Sequence, residues 1–162
     1  MSTATRSALA VFVIAWLTTP LLAANGRYYP TTRPTMALLT QRRADLDAII
    51  ARQKSLADQT AKPLDRPSDA SGLRDRQAAL VEQAVDLRKR LFEMIGRADR
   101  PMRDALDEMR FAAGAMDRGE VESAAENQRG ALGHLALAGQ AIDQALIWLR
   151  AATQPSSRPA AG

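Results

Sequence analysis

The chain has 162 residues, enough for one domain with its own core, and no cysteine, which excludes disulfides, thiolate metal sites and c-type haem attachment. It carries 22 basic against 18 acidic residues, a net charge of +4, and 19 of the bases are arginine. The excess is uneven: residues 27–97 hold 14 bases and 9 acids, residues 98–162 hold 7 and 9.

The N-terminus has a single charge, Arg6, before an apolar run over residues 8–17, then Thr18, Thr19 and Pro20, then Leu21, Leu22, Ala23 and Ala24. A positive start, a short apolar core, a breaker and small residues form the layout of a secretory signal. A membrane-spanning helix needs about twenty apolar residues, and this run is interrupted too early. Residues 1–24 therefore read as a signal peptide cut after Ala23 or Ala24. The protein is expected to be periplasmic or secreted, with membrane anchoring the alternative if the segment stays uncleaved. Residues 25–34, with Gly26, Tyr28, Tyr29, Pro30 and Pro34, have no helical period and read as an extended leader.

Residues 35–153 read as one helical domain. Thr35 suits the N-cap of a first helix reaching about Thr60, whose inward seam is Leu39, Leu46, Ile49, Gln53 and Leu56. Pro63, Pro67, Ser68 and Gly72 then suggest a loop of about ten residues, long for a bundle connection. A second helix is expected from about Ser71 to Ile95. Its seam of Leu73, Gln77, Leu80, Ala84, Leu87, Leu91 and Met94 alternates four- and three-residue steps without a slip. The run Arg88, Lys89, Arg90 lies on this helix as a solvated face. Nucleic-acid binding calls for a concentrated basic face with aromatics or a known motif, so no such partner is expected.

Gly96 and Pro101 interrupt next. The residue before a proline avoids helical backbone angles, so Arg100 is expected to mark a break or a kink. A full reversal gives four helices and a kink gives three. Pro101 suits the first turn of the next helix, with Met102, Leu106, Met109, Ala113 and Met116 inward, and Gly119 suits its left-handed terminus. A short reversal makes this helix an antiparallel hairpin with the last one.

That last helix, residues 121–149, has the seam Val121, Ala125, Gln128, Leu132, Leu135, Gly139, Ile142, Leu146 and Leu149. It is about 30 residues long against about 17 in its neighbour. At 1.5 Å per residue its apolar half overhangs by about 20 Å, to be covered by the first and second helices. Gly130, Gly133 and Gly139 each cost about 1 kcal/mol relative to alanine in a helix. Close backbone approach between helices, or a small-residue interface of the membrane kind, would account for them. Residues 154–162, rich in proline and serine, read as a disordered tail.

The stretch Ala105, Leu106, Met109, Met116, Gly119, Ala124, Ala125, Gln128, Ala131, Leu132 has the cadence of a tetratricopeptide hairpin, in a single copy. With Arg76, Gln77, Leu80, Gln83 and Leu87 upstream, it resembles the helical region of large uncharacterised bacterial envelope proteins. That resemblance implies no particular activity. Leu39 and Thr40 are similar to the Leu-Thr-x-x-Gln signature of exported helical metal-stress sensors and chaperones, although here the glutamine is Gln41.

Residues with chemistry are few. His134, the only histidine, has no ligating neighbour at helical spacing and suggests a packing or solvent-edge role. Met102, Met109 and Met116 make a thioether stripe, which suits cuprous copper but coincides with the core seam. The acids Asp104, Asp107, Glu108, Asp117, Glu120, Glu122 and Glu126 interleave with Arg103, Arg110 and Arg118, as in a solvated turn. No catalytic, metal or cofactor-binding residue is therefore nominated, and an enzyme is not expected.

Taken together these features predict an all-α protein: a three- or four-helix antiparallel bundle with coiled-coil-like seams after an N-terminal signal segment. It is expected to serve as an exported structural or protein-interaction component of the bacterial envelope. The alternative is a periplasmic metal-stress sensor or chaperone-like helical protein. Ala141, Ala145 and Trp148 form a second apolar stripe on the last helix, with Ile147 flanking it. If the first helix leaves that stripe uncovered, Ile147 and Trp148 become a site for self-association or for another envelope protein.

Overall fold

The structure is a computed structural model that describes residues 34–62 and 67–153. The expected signal segment, nearly all of the expected leader and the expected C-terminal tail lie outside the described residues. Helix α1 spans Met36–Thr60, and Thr35 caps it as expected: its backbone is extended and its hydroxyl accepts from the Leu38 N–H. All five seam residues of α1 are buried.

Helix α2 is Pro67–Phe92. It begins four residues before the expected Ser71, because proline is well suited to the first helical position, where its missing N–H has no partner to lose. Six residues rather than about ten then separate α1 from α2. The seven seam positions from Leu73 to Met94 are all buried.

The chain reverses fully between α2 and α3, which decides for four helices among the described residues. A single 3₁₀ turn, Gly96–Ala98, leads into α3, Asp99–Asp117. Arg100, expected as the break, is helical. Pro101 sits third in the helix, where an N–H would have been unsatisfied anyway, so the break falls before it. Asp99 is buried at the start of α3 and holds both Arg88, at 2.8 Å, and Arg103, at 2.6 Å, fixing the corner between α2 and α3. Gly119 has φ of 73°, the left-handed terminus the sequence called for.

Helix α4, Val121–Thr153, completes an antiparallel bundle in which each helix packs on the next and α4 returns to α1. Cross-helix pairs fix the directions: Arg74 of α2 meets Asp117 of α3, and Arg43 of α1 meets Asp143 of α4 at 2.9 Å. The 33 residues of α4 exceed the 19 of α3 by 14, about 21 Å of helix. That overhang is covered by α1 and the 3₁₀ turn; α2 lies diagonally across the bundle from α4 and contributes little cover.

Two inward faces differ from expectation. In α3, Ala112 is buried where Ala113 was expected, with Ala105 and Ala115 also closed off. In α4 the line Ala124, Gln128, Ala131, Leu135, Ala138 and Ile142 is buried, while Ala125 and Leu132 are only half-buried; Gly139 and Leu146 of the expected seam are buried as well. Both lines alternate four and three and share Gln128, Leu135 and Ile142. The alanine line faces inward because α3 presents its own alanines there, and small residues on both helices permit close packing.

Candidate functional site

The C-terminal half of α4 carries one face that is exposed and almost without charge. From Gly133 to Ala151 the exposed positions are Gly133, Ala136, Leu137, Gln140, Gln144, Ile147, Trp148, Arg150 and Ala151. Ile142, on the opposite side of the helix, is fully buried. Leu137 is 51% exposed, Ile147 62% and Trp148 71%. Ala141 and Ala145, the rest of the expected second stripe, pack on the edge of the core instead. Leu137, ten residues before Ile147, thus joins Ile147 and Trp148 among the exposed large apolar side chains of α4.

The nearest acidic group is already engaged. Asp143 accepts from Arg43 Nε, and Arg43 also holds Asp47. Burial works to lower the pKa of Arg43, but the hydrogen bonds to Asp143 and Asp47, with their charges, outweigh it and raise the pKa. The guanidinium lies over Gly139, where a Cβ would stand 3.3 Å from its central carbon. Gly130 similarly admits the Glu108 carboxyl, and Gly133 faces open space. Close backbone approach therefore explains none of the three glycines; two accommodate side chains and Gly133 has no neighbour within 4 Å of an added Cβ among the described residues.

In the bundle interior one glutamine from each of three helices meets the others. Gln53, Gln77 and Gln128 are each fully buried. Gln77 Nε2 donates to Gln53 Oε1 at 2.9 Å, and Gln128 Nε2 donates to Gln77 Oε1 at 3.0 Å. Among the described residues Gln128 Oε1 is buried without a hydrogen-bond partner. One glutamine in each of three seams is visible in the sequence. Their meeting is not, because it depends on the register set by the connections.

The other candidates resolve into structure. Met102 and Met109 are fully buried and Met116 nearly so, which places the thioether stripe in the core. His134 is half-buried. Around the α3–α4 turn, Asp107 pairs with Arg110, Asp117 with Arg74, and Glu120 with Arg118 through two bonds of 2.8 Å. The hydrogen bonds from Arg118, offset in part by desolvation and aided by its charge, hold the Glu120 carboxyl below its ordinary pKa. Of the basic run, Arg88 turns to Asp99 while Lys89 and Arg90 stay exposed. Among the described residues no group of three or more His, Asp or Glu side chains is placed to hold a metal ion, and no helix is long and apolar enough to cross a membrane.

Compared with known proteins, the chain matches no family model, no curated protein and no solved structure.

Proposed function

We propose that this chain is an exported structural or protein-interaction component of the bacterial cell envelope and that the outward face of α4 is its contact surface. The observation that carries the reading is the exposure of Leu137, Ile147 and Trp148 on one nearly charge-free helix face, outside a core that is already filled by other residues. Large apolar side chains left exposed on one face mark places where another chain binds, and tryptophan is enriched at such hot spots. Support for export comes from the layout of residues 1–24.

A photo-activated cross-linker at Gln144, introduced in the exporting host, tests the contact surface. The expected result is a defined protein adduct that disappears in Trp148→Glu. Absence of any adduct contradicts the reading. Intact mass of the exported protein tests the other half, with a mature chain starting at Ala24 or Asn25 expected; full-length chain in the membrane fraction would instead indicate a signal anchor.

A further inference from the structure

All exposed positions of this face except Arg150, whose mirror is the half-buried His134, fall into pairs about one centre. About Ile142 as centre, Leu137 mirrors Ile147, Gln140 mirrors Gln144, Ala136 mirrors Trp148 and Gly133 mirrors Ala151. Aliphatic residues thus face aliphatic ones, amide faces amide, and the large ring of Trp148 faces the small Ala136. Two copies of one helix laid antiparallel about a two-fold axis bring mirror-related positions together, and a two-fold interface requires this self-complementarity. The pairing places no charge at its centre, since Asp143 is held by Arg43 at the side of the face.

We infer that the outward face of α4 is a homodimer surface, on which a second copy of this chain packs antiparallel about an axis at Ile142, with Leu137 against the partner's Ile147. This rests on the reading of that face as a contact surface. The matched stretch runs 19 residues, from Gly133 to Ala151, about 27 Å of helix. One helix against one helix lies at the small end of specific interfaces, so dissociation constants of about 1–100 µM are expected.

Two measurements on the purified protein test the inference. Because the chain has no cysteine, Gly133→Cys and Ala151→Cys each introduce a lone thiol. Position 133 is open, with nothing within 4 Å of an added Cβ. Antiparallel packing brings position 133 of one chain to position 151 of the other, so oxidation of the mixed variants gives the heterodimer while each variant alone stays uncross-linked. In sedimentation velocity the unmodified protein shows a monomer–dimer equilibrium, and Trp148→Glu weakens it by at least about 30-fold. Disulfide dimers of each single variant indicate a parallel pair and overturn the inference, as does a dimer unaffected by Trp148→Glu.

A protein that stays monomeric to several hundred micromolar also overturns the inference. If such a monomer still yields the Gln144 adduct with a different protein, the contact surface stands and only its occupant changes. If it instead sediments with phosphatidylethanolamine–phosphatidylglycerol vesicles and loses this in Trp148→Glu, the occupant is lipid. Unfolding by Trp148→Glu removes both the dimer and the surface; Gln144→Glu, at the centre of the face and fully compatible with an exposed helix position, then provides the independent test and is expected to weaken the dimer without changing helicity.

Discussion

Gln128 of α4 donates to the Gln77 side-chain oxygen of α2 at 3.0 Å, across the diagonal of the bundle, while its own side-chain oxygen is buried without a partner among the described residues. Gln77 is the hub of this layer, since it also exchanges hydrogen bonds with Gln53 of α1. Stranding a buried polar group costs about 1–3 kcal/mol, whereas removing one that is already unsatisfied removes a penalty. Gln77→Met is therefore expected to destabilise the protein by about 2–4 kcal/mol, because it leaves polar atoms of both Gln53 and Gln128 stranded. Gln128→Met, which spares the Gln53–Gln77 pair, is expected to fall within about 1 kcal/mol of the parent. Urea unfolding of the two variants measures the difference; equal losses would show that the layer has no hub.

The glycines of α4 separate by what lies over them. Gly133→Ala meets open space and should raise stability by about 0.5–1 kcal/mol through helix propensity alone. Gly139→Ala gains the same propensity but forces the Arg43 guanidinium away, disturbing its bonds to Asp143 and Asp47. It is expected to stabilise less than Gly133→Ala, or to destabilise. Denaturant midpoints for the pair provide the check, and a larger gain at Gly139 would contradict the placement of Arg43.

Glu120 provides a pH-dependent contact at the α3–α4 turn. Its folded pKa is lowered by the hydrogen bonds from Arg118, so the carboxylate form is favoured by folding. The contribution is present above the unfolded pKa and is lost as pH falls through the lowered folded value. Both side chains are well exposed, which keeps the effect on stability small. Carboxyl titration by NMR should place Glu120 below the ordinary glutamate range, and Arg118→Ala should return it upward. An unchanged titration in Arg118→Ala would remove the bidentate contact from solution.

The sequence made α2 legible because seven seam positions alternate without ambiguity, and Gly119 legible because a left-handed turn strongly favours glycine. The phase of α4 was not legible in the same way. Two lines pass through Gln128, Leu135 and Ile142, and preferring Leu132 to Ala131 ignores that close packing against the alanines of α3 favours the smaller residue. Pro101 misled for a similar reason: its local rule places a break at Arg100, yet a proline within the first turn of a helix removes no bond. Ile147 and Trp148 stood out as apolar residues beyond the seam. Leu137 joined them only once the position of α1 showed which side of α4 stays open.

The claim that Trp148 belongs to an outward contact surface is tested most directly by its own fluorescence. The chain has two tryptophans, Trp16 and Trp148, so Trp16→Phe leaves Trp148 as the only tryptophan emitter. At low micromolar concentration acrylamide should quench it almost as efficiently as free tryptophan, and raising the protein concentration or adding the binding partner should shield it. Emission that is shielded at every dilution and becomes quenchable only when the protein unfolds would place Trp148 in the core and contradict the account.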